Sequence, residues 1–331
     1  MQETTEQPVS DTPTTPEPAA PQDAGAAVAG PRVHTWTSDS SAKARMKEKL
    51  IHAMLTLLAL AAVSSLALIT AFIFIEGMPI MMKMGLGKFL FSGDWYPTEK
   101  PPHFGIFPMI IGSLAVTLGA MVIGGFLGLG CAIVLTQFCP PRAVKILKPS
   151  IELLAGIPSV VYGFIGVVIL VPFIRDVFGG WGLSVLASSI VLGVMVLPTV
   201  TSISVDALQS VPKAYRAGSI ALGATNWQTT HMVTLKAARS GIVAAIILGM
   251  GRAVGETMAV IMVAGNTIDI PHSILDPVRT LTSNIALEMG YAAGEHHQAL
   301  FATGVVLFVI IMILNTVALT VSRHRARKAG A

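Results

Sequence analysis

Arg252 and Glu256 are the residues in this sequence best placed to act on a charge. They lie in GRAVGETMAV, residues 251–260, within an apolar run that is expected to span a membrane from about 240 to 264. An arginine near mid-span costs at least ~2.5–3.5 kcal/mol on insertion scales. Glu256 follows at i+4, so on an unbroken helix the two share a face and can pair. Gly251 and Gly255 beside them would let another helix or a ligand come close. A guanidinium fork suits a phosphate-like oxyanion. The pattern reads as positive charge offered to an anion crossing the membrane, with Glu256 holding the guanidinium and competing with that anion. The competing reading is an ion pair that only ties spans together.

Weaker polar signals surround this one. Glu152, Ser159 and Tyr162 flank a break at Ile157-Pro158, where proline frees backbone groups that must find partners or line a cavity. Thr257, Ser113 and Thr117 can face a pathway, although single hydroxyls in spans more often join helices. Gly124 and Gly128 read as a packing pair. Glu295-His296-His297 has metal-binding residue types but no further ligand spacing. The sequence holds no P-loop, nucleophile elbow or zinc-protease motif. The chain itself is therefore not expected to hydrolyse ATP or to hold a cofactor or metal.

A second constellation precedes the charged pair, in a polar loop at about 205–240. Ser210 is expected to cap a short helix with Pro212 in its first turn, and Gly223 to end it. Thr225 and Gln228 have capping-box spacing for a second short helix over 226–233. Ala214, Ala217, Gly218 and Ala221 fall at i, i+3, i+4 and i+7, a face made only of small residues. Such a face lets another protein's backbone approach, whereas a plain linker needs no two caps and no helix stop.

The elements that hold these groups are membrane spans. Of 331 residues, 53% are hydrophobic and 12% charged, and several apolar runs exceed the ~18 residues that mark a transmembrane helix. Six spans are expected, at about 51–75, 108–136, 151–174, 183–204, 240–264 and 299–321. Fifteen Lys and Arg would lie on the cytoplasmic side: four before the first span, Arg142, Lys145 and Lys148, then Lys213, Arg216, Lys236 and Arg239, and four after the last span. Lys83, Lys88, Lys100, Arg175 and Arg279 would lie outside. This bias favours both termini inside and explains the net charge of +4 without nucleic acid. Cys131 and Cys139 fall where a structural disulfide is not expected.

Residues 1–42 form an acidic, Pro-rich tail with six acids against Arg32 alone, expected to be disordered. The transmembrane body covers 43–331. In the outer loop 76–107, Trp95 and Tyr96 suit a membrane interface. The outer loop 265–298 lies on the surface or dips into the membrane, and sequence alone leaves both open.

These residues resemble a known family. The loop resembles the EAA loop of ABC importer permeases, with Gly223 at its glycine and Val233 and Leu235 at its Ile and Leu. Ala217 stands where that loop usually has Glu, and Lys236 where it has Pro. The segments ELLAGIPSVVYGF (152–164), ALGATNW (221–227), GRAVGETMAV and RTLTSNIALEMG (279–290) resemble phosphate importer permeases of the C type. The resemblance covers about 45–321. It implies an all-α membrane protein with the ABC type I importer permease fold and six transmembrane helices, multi-pass in the bacterial cytoplasmic membrane. It implies partners: a homologous A-type permease, a dimeric cytoplasmic ATPase carrying ATP and magnesium, and an extracytoplasmic phosphate-binding protein. It implies a substrate pathway through Arg252, Glu256, Thr257, Ser159 and Tyr162. It implies ATPase coupling through Ala214, Ala217, Gly218, Ala221, Gly223, Ala224 and Trp227. An ion-coupled carrier is the rival of another class, but it needs no docking loop and usually shows paired repeats. A sulfate or molybdate permease is the rival within importers, and a signalling scaffold a third reading.

Overall fold

The computed structural model describes residues 42–327; the acidic tail lies outside them. Helix α1 runs Ala42–Met84. Its first part, through Ala62, belongs to a separate unit, with Leu50, Ile51 and Leu57 exposed. The second unit, from Val63, holds everything below.

After α1 come a short α2, Leu86–Phe91, and a hairpin of β1, Trp95–Tyr96, with β2, His103–Phe104. Then follow α3, Phe107–Phe138, α4, Pro141–Ala155, α5, Ser159–Phe178, and α6, Val185–Gln209. The loop helices are α7, Lys213–Ala221, and α8, Asn226–Ala237. They lead to α9, Arg239–Gly255, α10, Met258–Val263, α11, Leu281–Glu288, and α12, Glu295–Arg327. Among the described residues five helices are long and apolar enough to cross a membrane. A sixth span results if α8 and α9, which meet at 71°, count as one.

Helix α6 is the hub, packed against both α3 and α9. Lipid tails are as apolar as leucine, so close packing rather than water exclusion must hold spans together. Glycines provide it. A methyl group on Gly124 would strike the Gly193 carbonyl, and one on Gly128 would meet Val200 and the Leu197 carbonyl. The Gly124–Gly128 pair is thus a crossing point, reached through a π-helical turn at Met121–Gly125. On the other side Gly249 of α9 nests against Val196 and Val200.

Two expectations change, and one question left open is answered. The span expected at 151–174 is two helices: α4 ends at Ala155, and α5 begins at Ser159 directly after Pro158, which has no amide hydrogen to continue α4. Trp95 is not an interface residue: it is 1% exposed and packs with Phe89, Phe104 and Met109. The segment 265–288, for which both readings were open, does each in part: Asp269, Ile270, His272, Ser273 and Ile274 are exposed, whereas its second half turns inward. Val278 and Leu281 are fully buried, Val278 and the Arg279 carbonyl press on Gly112 of α3, and the Leu281 amide donates to Ser113 Oγ at 2.9 Å. That second half packs against α3, where its backbone groups find protein partners.

Candidate functional site

The span expected at 240–264 is broken at the charged pair. Helix α9 ends at Gly255, Glu256 is extended (φ −73°, ψ 129°), and α10 starts at Met258. The i+4 pairing of Arg252 with Glu256 therefore does not form, because it needs a helix that continues through Glu256. Flanking glycine and the β-branched Thr257 weaken the helix there. Local side chains satisfy what the break frees: Glu256 Oε1 accepts from the Ala259 amide at 3.3 Å, and Thr282 Oγ1 donates to the Glu256 carbonyl at 3.1 Å. Thr257 Oγ1 donates to the Gly255 carbonyl at 3.4 Å.

Arg252 is left exposed, about 20 Å along α9 at 1.5 Å per residue. Among the described residues it has no hydrogen-bond or ion-pair partner. Beside it, added methyl groups on Gly251 or Gly255 would touch nothing. Arg252 thus occupies an open face with its fork uncommitted.

Other pathway candidates gather around α10. Helix α5 packs on it, with Gly163 against Ala259 and Met262. Ser159, half-buried, opens α5. Tyr162 plays a different part. Its hydroxyl donates to the Leu154 carbonyl at 2.7 Å, satisfying a group freed by the Pro158 break. The break, α5 and Thr282 of α11 are thus neighbours, while Tyr162 is already committed to the backbone.

Sequence reasoning missed a buried charge network. Arg279 Nη1 donates to Glu288 Oε1 at 2.7 Å and to Asn284 Oδ1 at 3.1 Å, and its Nε donates to the Asn266 carbonyl at 2.9 Å. Glu288 Oε2 accepts from Trp95 Nε1 at 2.9 Å and meets His296 Nε2 at 2.8 Å. Tyr291 stands beside it; burial first and the Glu288 charge second raise its phenol above the ordinary value, with Arg279 opposing. The signal was present, since RTLTSNIALEMG carries both Arg279 and Glu288 nine residues apart. Their pairing depends on the inward turn of the second half of 265–288. His296 is used here, Glu295 pairs with Lys83, and His297 packs on Phe301, so the three residues serve separate partners.

The loop folds largely as its caps dictate. Gly223 has φ +86°, donates to Ile220, and lets the Ala224 amide reach the Ser219 carbonyl, a Schellman stop. Thr225 and Gln228 form the capping box. Ser210 does not cap α7; it ends α6 and its hydroxyl bonds the Ala207 carbonyl at 2.8 Å, leaving Pro212 to start α7. Ala214, Ala217, Gly218 and Ala221 are all exposed on one face, while Arg216 and Ser219 turn inward to Gln137, Asn226 and Thr229. Trp227, 60% exposed, stacks on His231, and Ala224 is half-buried.

Residues 124–329 match the family described as the binding-protein-dependent transport system inner membrane component. The chain belongs to this family. A probable ABC transporter permease, YqgH of Bacillus subtilis, is 45% identical over 78% of this chain and 85% of its own length. The phosphate transport system permease PstC of Mesorhizobium japonicum is 36% identical over 70% of this chain and 76% of its own. Among solved structures, a bacterial ABC transporter that imports alginate has a TM-score of 0.58 at 15% identity, covering 85% of this chain and 99% of that one. The MetNI methionine ABC transporter has a TM-score of 0.50 at 20% identity, covering 66% and 94%. These likenesses establish the ABC importer permease fold. The protein is a multi-pass inner-membrane transport subunit.

Proposed function

We propose that this permease is the C-type subunit of an ATP-driven importer of inorganic phosphate. The observation that carries the reading is Arg252: an exposed guanidinium in the last turn of α9, without a partner among the described residues, on a face kept open by Gly251 and Gly255. A structural arginine would be paired. Its fork suits a tetrahedral oxyanion, and the relatives named PstC at 32–36% identity make phosphate the substrate to test.

In this reading an A-type permease covers the open face, and phosphate passes Arg252 with Thr257 and Ser159 nearby. Glu256 sets the break rather than clamping the arginine. Two ATPase subunits carrying ATP and magnesium grip the small-residue face of α7, with Gly223, Ala224 and Trp227 fixing how it meets α8. A binding protein delivers phosphate from outside, and both termini are cytoplasmic.

The test is ATP-dependent uptake of labelled phosphate by vesicles holding the assembled importer, with sulfate as competitor. Arg252→Gln is expected to lower uptake at least tenfold while assembly persists. Ion-driven uptake without ATP would sink the reading. Uptake of sulfate but not phosphate would keep the mechanism and replace the substrate.

A further inference from the structure

The inward side of α7 borders a cleft of about 310 Å³ where the spans end. Thr136 and Gln137 of α3, Gln209 of α6, Lys213 and Arg216 of α7, and Thr234 of α8 line it, and no aspartate or glutamate does. Arg216 is half-buried. Its Nη1 reaches Gln137 Oε1 at 3.3 Å and its Nη2 reaches Asn226 Oδ1 at 3.4 Å. Both acceptors are neutral, and both distances lie beyond the usual 2.7–3.2 Å range for N–H···O bonds. Among the described residues no carboxylate pairs with Arg216 or Lys213. The two cations stand three residues apart on one helix, a spacing at which like charges repel. Thr234 is 5% exposed, yet its hydroxyl makes only a 3.4 Å bond to the Thr229 carbonyl.

Two cations without acids, an amide and an under-used buried hydroxyl therefore converge on one recess. The missing partner is an oxyanion, which a guanidinium binds with two parallel hydrogen bonds. We propose that this cleft binds a phosphate group, borne either by a lipid headgroup or by free inorganic phosphate. Gln137 and Gln209 lie at helix ends, where the bilayer core gives way to water, and basic recesses at that level suit headgroups. A phosphate bridging Arg216 to Thr234 and Gln137 ties α7 to the ends of α8 and α3. Its occupancy would set how stiffly movement of α7 reaches the spans. The inference rests on the cleft alone and stands whether or not Arg252 handles phosphate.

The experiment follows hydrogen exchange of the 208–218 segment in the assembled importer with its ATPase. The importer sits in nanodiscs of phosphatidylcholine, of phosphatidylcholine with inorganic phosphate added, or of phosphatidylcholine with phosphatidylglycerol. Slower exchange with added phosphate identifies the free anion; slower exchange only with phosphatidylglycerol identifies the headgroup. Arg216→Gln is expected to weaken the effect about tenfold, and Arg216→Lys to restore part of it, because the charge returns without the fork. Lys213→Gln, at an exposed position, serves if Arg216→Gln does not assemble. No slowing in either arm, or full slowing retained in both substituted proteins, overturns the proposal. The same arms run on the Arg252→Gln importer separate the two readings: slowing that persists there reports the cleft, and slowing lost there but kept in Arg216→Gln reports Arg252 and overturns the proposal.

Discussion

Two arginines of this protein meet opposite fates, and the contrast says what each is for. Arg279 is committed three ways, to Glu288, Asn284 and the Asn266 carbonyl. Glu288 in turn holds Trp95 and His296, so one carboxylate joins β1, α11 and α12. Among the described residues Arg252 has no such partner. A buried pair contributes little net stability over an apolar substitute, but removing one member leaves a buried charge and costs about 3–5 kcal/mol. Glu288→Gln keeps the shape and strands Arg279. It is expected to lower the unfolding free energy of the purified permease by about 3 kcal/mol in denaturant titrations. Adding Arg279→Met should recover part of that loss, since the stranded charge goes. A loss below about 1 kcal/mol for the single change would mean that the network is not buried as described. Arg252→Gln, removing a charge with no hydrogen-bond or ion-pair partner among the described residues, should leave unfolding nearly unchanged while uptake falls.

Among the elements, α7 shows best how local chemistry fixes a working shape. The Schellman stop needs φ +86° at Gly223, a left-handed conformation that costs other residues about 1–2 kcal/mol and β-branched ones most. Gly223→Val is therefore expected to misalign α7 against α8. ATP hydrolysis by the assembled importer should continue while phosphate uptake drops several-fold. Unchanged coupling of uptake to hydrolysis would remove α7 from the transmission path. The stop at Gly223 and the Thr225 capping box were legible because each is decided within four residues. The break after Gly255 was not, although Gly251, Gly255 and Thr257 all disfavour helix. What holds it open is Thr282, twenty-six residues on, which takes the Glu256 carbonyl. Likewise Trp95 has interface chemistry by type, and its packing on Phe89, Phe104 and Met109 with the distant partner Glu288 holds it inside. Local signals placed the spans of α1, α3, α6 and α12 and the crossing glycines; contacts across the chain decided the break after Gly255 and the pairing of Arg279 with Glu288.

At the scale of the whole molecule, the direction of transport follows from which ends of the helices face the cytoplasm. The basic residues around α4, α7 and α8 outnumber those of the hairpin and the inward-folded loop, and positive segments are retained inside. In the proposed orientation the exposed face of α7 and the side chains of Met232 and Trp227 would face the ATPase, and the β1–β2 hairpin would face out. Single cysteines test this directly once Cys131 and Cys139 are replaced by serine. Thr98, between the strands, and Met232, on α8, are both exposed. On intact spheroplasts a membrane-impermeant maleimide should label Thr98→Cys at once and Met232→Cys only after permeabilisation. The reverse pattern would put α7 outside, where no ATP is available. It would remove the coupling role of the loop while leaving the fold and the Arg252 site as described. Labelling of both from one side would be worse for the fold. Helices α3, α5 and α6 make an odd number of crossings between residues 98 and 232, and a shared side demands an even number. That demand is met only if one of the three does not cross, or if α4 crosses separately from α5 at the Pro158 break.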